Sequence, residues 1–529
     1  MFRLNPAVRG GLAGVVWLLT VCLFCGVTAQ PARAAANPVT PAECVAQLVF
    51  NPASGGFLTS DNPFIASQSP INCYAWQMFI AMNWPVNPGW PATASLAGEP
   101  DTGTALAQWG VPASPTQPLG TTPVWASYKD ANDIFLPGAA TPTAWGVQSP
   151  SPAGCQSANA LRAVRVDARK FMTATSERSV NAIHRFNLSS STLAVEDTPD
   201  PTMEASGGWL TDQSGNLVYF ERKVGKAEFD YIVDNQLYDA ADQLRVANNT
   251  DGQHPKGLSL PAGAHFRTVP TQPVAQEQLG AFEIKAAWRI LTGKTSLYSR
   301  YLTTVSWVQR PDTGQCSQEV VGLVGMHIIH KTESFPDFVW STFEHVDNVP
   351  DGQPTPPGGF TFNNPACTTC AVNQPRIQCP ASGDGPCTDL FPRSEPVQVS
   401  RTSPLDSTMS DLNQAVQKAI AAKTAGKSVF QYYKLINVLW DGSPNPPIPE
   451  PGPGAVTPLV YGTFNTEGSV PAANTTLETY IQQDSCDACH KYASIAGSNT
   501  LASDFSFLFE NADTAKSPAL MKQLRGLKP

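Results

Sequence analysis

Five consecutive residues, Cys486-Asp487-Ala488-Cys489-His490, constrain this chain more than any other stretch. C-x-x-C-H is the attachment pattern for a c-type haem. Two thiols three residues apart on a helical turn reach the two vinyl groups of one porphyrin. The imidazole that follows is then placed to bind the iron as an axial ligand. The flanks extend the pattern. Thr475-x-x-Glu478 reads as a capping box, and Leu477, Tyr480 and Ile481 repeat with helical spacing. A short helix is expected to begin near Thr476 and to carry the motif close to its end.

The same cysteine spacing serves other chemistry. A thioredoxin-like dithiol belongs after the strand of a βαβ unit, and no such unit is legible here. A structural zinc site needs a second C-x-x-C or an H-x-x-x-H nearby, and there is none. The chain has only 7 histidines in 529 residues, so a histidine directly after the second cysteine carries weight. One covalent haem c held by Cys486, Cys489 and His490 is the expected cofactor. The alternative is a secreted, disulfide-stabilised binding protein without haem, in which the two thiols are bonded to each other.

The N-terminus supplies the compartment. Arg3 and Arg9 precede an apolar run from Leu12 to Val27, and small-residue cleavage sites follow at Val27-Thr28-Ala29 and Ala34-Ala35-Ala36. This is the layout of a secretory leader, expected to span residues 1–36. A membrane anchor is the runner-up reading, but the run is short for a span. Cleavage after Ala36 removes three arginines and no acid, moving the net charge from −9 to about −12. Such acidity argues against a nucleic-acid partner. The expected location is the periplasm of a bacterium, with no membrane span after cleavage. The expected partner is a periplasmic redox protein or a small-molecule substrate.

Losing Cys22 and Cys25 with the leader leaves ten of the 12 cysteines. Two are assigned to haem, and the other eight are expected to pair in an oxidising compartment. Cys44 with Cys73 is one expected bridge, and Cys155 with Cys316 another. Cys367, Cys370, Cys379 and Cys387 would form two more, with three connectivities open.

The remaining sequence combines 42% hydrophobic residues with 48 prolines, set between short aromatic and β-branched runs. The expected fold class is α+β, mostly β: a loop-rich antiparallel body with a few helices. Helices are expected over Ser69 to Asn83, with Cys73, Trp76, Phe79 and Ile80 on one face, over Ala227 to Val246, and over Ser407 to Ala422. Strands are expected at Leu217 to Phe220, from Phe282, at Tyr301 to Val308, Val320 to His330, Phe338 to His345 and Val429 to Trp440. Those between 280 and 350 should pair as a meander. The body is expected to span residues 37–440, a Pro-rich connector 441–457, and a short helical haem-bearing segment 458–529.

Only 39 residues follow His490, too few to wrap a haem unaided. The body is therefore expected to cover its second face. Ser503-Asp504 is expected to start a helix that presents Phe505, Leu508 and Phe509. Candidates for a sixth iron ligand are Met521, His345, His327, His330, Met326 and Met78. His327 and His330 should face opposite sides of their strand. A group of Glu344 and His345 with His327 or His330 could instead hold a second metal. A buried histidine satisfied by a carboxylate is the plainer reading.

Several stretches carry a resemblance together: Trp76 to Pro85, Glu283 to Arg289, Gly322 to His327, Trp340 to Asn348, and Cys486 to His490 followed by Asp504 to Leu508. In patches across residues 70 to 510 they resemble a group of exported bacterial cytochrome c family proteins with a single late haem motif. The resemblance implies haem binding and a periplasmic location. It carries over Cys486, Cys489 and His490. The Glu344-His345 patch belongs to the shared pattern with no role attached. Two functions fit this: passing electrons, or serving a redox enzyme whose substrate site lies in the body near His345.

Overall fold

The structure, a computed structural model, describes residues 39–59, 67–147, 210–264, 271–309, 316–374, 395–441, 452–459, 471–498 and 500–515, with the backbone of four further short strands. The leader, Cys155, Cys379, Cys387, Met521 and most of the Pro-rich connector lie outside the described residues.

One mostly antiparallel sheet organises the molecule. Its strands are β1 (Lys129–Asp130), β2 (Phe171–Thr173), β3 (Val218–Val224), β4 (Phe282–Ile290), β5 (Thr303–Gln309), β6 (Cys316–His330) and β7 (Val339–His345). A small separate pair, β8 (Ile377–Gln378) and β9 (Thr388–Asp389), follows, and β10 (Tyr433–Asp441) and β11 (Phe464–Asn465) complete the main sheet. Of the four strands expected to pair as a meander, β5, β6 and β7 do so, continued by β10, whereas β4 pairs with β3 and β6 instead of β5. The central strand is β6. Along Val321–His330 it pairs with β4, and its other edge pairs first with β5 and then with β7. The fold class expected from the sequence, α+β and mostly β, is the one observed.

Alternation along the strands puts two apolar layers on opposite faces. In β3, Tyr219 joins one layer while Val218 and Phe220 join the other. The first face is covered by α2 (Gln68–Met82), which is bridged to α1 (Pro41–Gln47) by the Cys44–Cys73 disulfide. The sequence suggested one buried stripe on α2, yet every residue from Ile71 to Met82 is buried. The sheet takes one side through Phe343, which meets Trp76 and Phe79. Tryptophans from the following loops close the other side, and a helix walled in all round must be apolar or have its polar side chains bonded, as Gln77 is to the Val49 and Phe57 carbonyls. The tryptophan indole N–H groups converge on the helix end. Trp109 donates to the Asn83 carbonyl and Trp125 to its side-chain oxygen.

The stretch expected as one helix from Ala227 to Val246 is two, α3 (Lys226–Asp234) and α4 (Ala240–Ala247). Gln236 has a positive φ of 58°, and Asp239 caps α4 through the Ala241 N–H, so a strong N-cap restarts the helix after a left-handed break. The helix α5 (Ser407–Lys423) forms as expected, capped by Asp406. It packs on β10, where Asn413 donates to the Leu435 carbonyl. That strand begins four residues later than expected, because Ser428 turns Val429–Tyr432 into a single 3₁₀ turn. Of the clustered cysteines, Cys367 bonds Cys370.

Candidate functional site

The segment carrying the C-x-x-C-H motif lies on the second face of the sheet, and one side of β7 bears it. Trp340, Thr342 and Glu344 alternate onto the face opposite Phe343. Each meets a different part of the segment. Glu344 accepts from the Thr475 N–H at 2.6 Å and from the Thr475 hydroxyl at 2.8 Å. Thr342 Oγ1 accepts from Asn474 Nδ2 at 3.0 Å. Trp340 lies with its ring centroid 4.5 Å from that of His490. The neighbouring strand adds two contacts. Gly325, opposite Glu344 in the ladder, makes room for Thr476, whose hydroxyl would lie 2.0 Å from a Cβ there. His327, opposite Thr342, bonds Glu478 at 2.8 Å.

These bonds explain why the expected helix near Thr476 is absent. Thr475 spends its hydroxyl on Glu344 instead of capping, and Asn474 turns its side chain back onto Thr476. Polar side chains bonded to the sheet hold residues 474–485 in turns. Helix remains only at the motif itself, as α6 (Cys486–His490).

Cys486 and Cys489 are free thiols, half-buried on α6. Cys367 and Cys370 have the same spacing and are bonded. Burial pushes the Cys489 thiol up to about 12 and raises Cys486 well above its ordinary range.

His490 is held differently. Its Nδ1 lies 2.8 Å from the Phe505 carbonyl. A carbonyl can only accept, so Nδ1 carries the proton and Nε2 presents its lone pair. Burial lowers its pKa to about 4, which keeps the ring neutral at physiological pH. Trp340 and Phe507 flank it at 4.5 and 5.0 Å. Phe505 does not start a helix as expected. Asp504 and Phe505 are both left-handed, with φ of 56° and 68°, and only a 3₁₀ turn follows at Phe507–Asn511.

The other expected ligands among the described residues do not gather at this site. His330 points to the α2 face, between the Tyr74 hydroxyl at 2.6 Å and the Leu279 carbonyl at 2.6 Å. Met326 shares that face, against Asn83, and Met78 is buried within α2. His345 stacks on Tyr301 at 3.8 Å and bonds the Arg300 carbonyl and the Asp347 N–H. Burial drives its pKa down to about 4. Glu344 is taken by Thr475 and by Arg401 at 2.6 Å. The proposed grouping of Glu344 and His345 with His327 or His330 is therefore corrected: each of them is satisfied separately. Among the described residues, no group of three or more His, Cys, Asp or Glu is arranged to hold a metal ion. Of these described candidates only His327 shares the face of the motif, and its imidazole bonds the Glu478 carboxylate.

No family model, curated protein or solved structure matches this chain. The patch from Trp340 to Glu344 carries the floor on which the motif-bearing segment rests. That role was invisible in the sequence, where 131 residues separate Glu344 from Thr475. The one available signal was an acid near the end of a strand, since a buried carboxylate must find partners elsewhere in the chain. Among the described residues no helix is long and apolar enough to cross a membrane.

The donor set fits a covalently attached haem. Two unbonded thiols on one short helix stand beside a neutral imidazole whose outer nitrogen is already committed. Aromatic rings line the imidazole, and the sheet closes the site from below.

Proposed function

We propose that the protein is an exported c-type haem protein acting in electron transfer or as part of a redox enzyme. Cys486 and Cys489 would hold the haem covalently through their sulfurs. His490 Nε2 would bind its iron. Bound there, haem supplies one-electron redox chemistry. The chain's own residues hold and orient. Phe505 fixes the imidazole tautomer, Trp340 and Phe507 exclude water around the ring, and Glu344, Thr342 and Gly325 seat the whole segment on the sheet.

The observation that carries this reading is the bond from His490 Nδ1 to the Phe505 carbonyl. Metal-ligating histidines donate their outer nitrogen to a carboxylate, carbonyl or water, and here that arrangement directly follows two free cysteines. The leader sequence supports a periplasmic location, where such attachment takes place.

Expression with the leader in a host competent for cytochrome maturation tests the reading. The expected product is red, heavier than the processed polypeptide by one intact haem, and has a haemochrome spectrum on reduction. A colourless product at the bare mass, with Cys486 and Cys489 bonded, would favour the disulfide-stabilised binding protein instead. Rapid binding of cyanide or carbon monoxide separates an enzyme with an open iron from an electron carrier.

A further inference from the structure

His490 takes its orientation from backbone that most side chains avoid. Asp504 and Phe505 are consecutive left-handed residues. For a bulky side chain such a conformation persists only where its surroundings impose it. The surroundings are specific. Asp504 Oδ2 accepts from Lys331 Nζ at 2.5 Å and from the Leu260 N–H at 2.7 Å. Both side chains of the ion pair are buried, at 1% and 0% exposure. Lys331 directly follows β6, so the pair fastens the turn to the central strand of the sheet. Ser503 closes the turn by donating its hydroxyl to the Ser506 carbonyl at 2.6 Å. The Phe505 ring packs edge-on against Phe338 and Trp340. The result is a carbonyl aimed at His490 Nδ1.

We propose that Lys331 and Asp504 are positioning residues for the axial imidazole, and that their ion pair sets the strength of the hydrogen bond from His490 to Phe505. This rests on the haem reading above. Neither residue touches the imidazole; they act through the backbone of the turn. A stronger bond at Nδ1 makes Nε2 a better donor to iron, which favours the oxidised state and lowers the reduction potential. Loosening the turn should do the reverse.

The test uses the full exported protein with haem attached, in the variants Asp504→Asn, Lys331→Met, the double variant carrying both, and Asp504→Glu. The readouts are the reduction potential and the NMR shift of the His490 Nδ1 proton in the reduced state. The double variant removes one charge of each sign, so its potential is free of a net charge change. The expected result is a higher potential in the double variant. The Nδ1 proton should move upfield in it and in both single neutral variants, and Asp504→Glu should restore part of the shift. Asp212→Asn, which breaks the buried pair with Arg289 at 3.0 Å, is the control for lost stability and should leave both readouts unchanged. Haem-bearing, folded variants with the wild-type potential and proton shift would overturn the proposal and leave the haem reading standing. Wild-type protein without covalent haem would overturn both.

Discussion

Glu344 accepts both the backbone N–H and the hydroxyl of Thr475, and its carboxylate is also held by Arg401. The acid is fully buried, so every one of these partners is needed. Arg401 in turn bonds Asp351, which also pairs with Lys434 on β10. The motif-bearing segment is thus tied into a buried charge network spanning β7 and β10. Glu344→Ala leaves Arg401 without its partner on β7, and the expected loss is about 3–5 kcal/mol. Urea unfolding measures it. Limited proteolysis should show new cleavage between residues 474 and 486, where the segment loses its anchor.

Gly325 lies beneath the same segment. A Cβ there would sit 2.0 Å from Thr476 Oγ1 and 2.9 Å from Asn474 Oδ1. Gly325→Ala should cost about 1–3 kcal/mol through overpacking. Adding Thr476→Ala removes the nearest clash, so the two substitutions together should cost less than their sum. Equal additivity in a double-mutant cycle would mean the contact is not made in solution.

The Cys44–Cys73 bridge closes a loop with a sequence separation of 29. Closure of that length corresponds to about 3.5 kcal/mol of stabilisation. Cys44→Ala with Cys73→Ala should lower stability by this order, with α1 the first element to lose hydrogen-exchange protection. Unchanged protection in α1 would show that its capping box suffices to hold it.

Asp337 gives the pH dependence a direction. Its carboxyl is raised from 3.8 to about 8, first by burial and then by Asp441, against the pull of Lys331. The folded state keeps the proton that the unfolded state releases above its ordinary value. The stability it contributes is complete below about pH 3.8 and is lost as the pH rises towards 8. Asp337→Asn should therefore be more stable than wild type at pH 8, with the gap closing at pH 4. Urea midpoints at the two pH values decide it, and a gap that is constant with pH would place the proton elsewhere.

Local pattern carried the strands well. β4 through β7 were legible because alternation and turn residues bracket each one, and α5 was legible from its apolar stripe and its stop at Gly426. The failures around the motif share one cause. Around Asn474 and Thr475, side chains that would cap a helix in isolation are engaged by Thr342 and Glu344 on the sheet. At Asp504 a helix start became a left-handed turn because Lys331, 173 residues away, holds its carboxylate. Cys486, Cys489 and His490 stand out in the sequence because they fall within five adjacent residues. Their supports do not, because each comes from a distant strand.

Side chains on β7 reverse direction with every residue, and the strand is engaged on both faces at once. One inserted or deleted residue between Val339 and His345 would swing Trp340, Thr342 and Glu344 into the α2 layer and turn Phe343 towards the chain terminus. Homologous chains should therefore vary freely in the length of the loops on either side, while this heptapeptide keeps a fixed count.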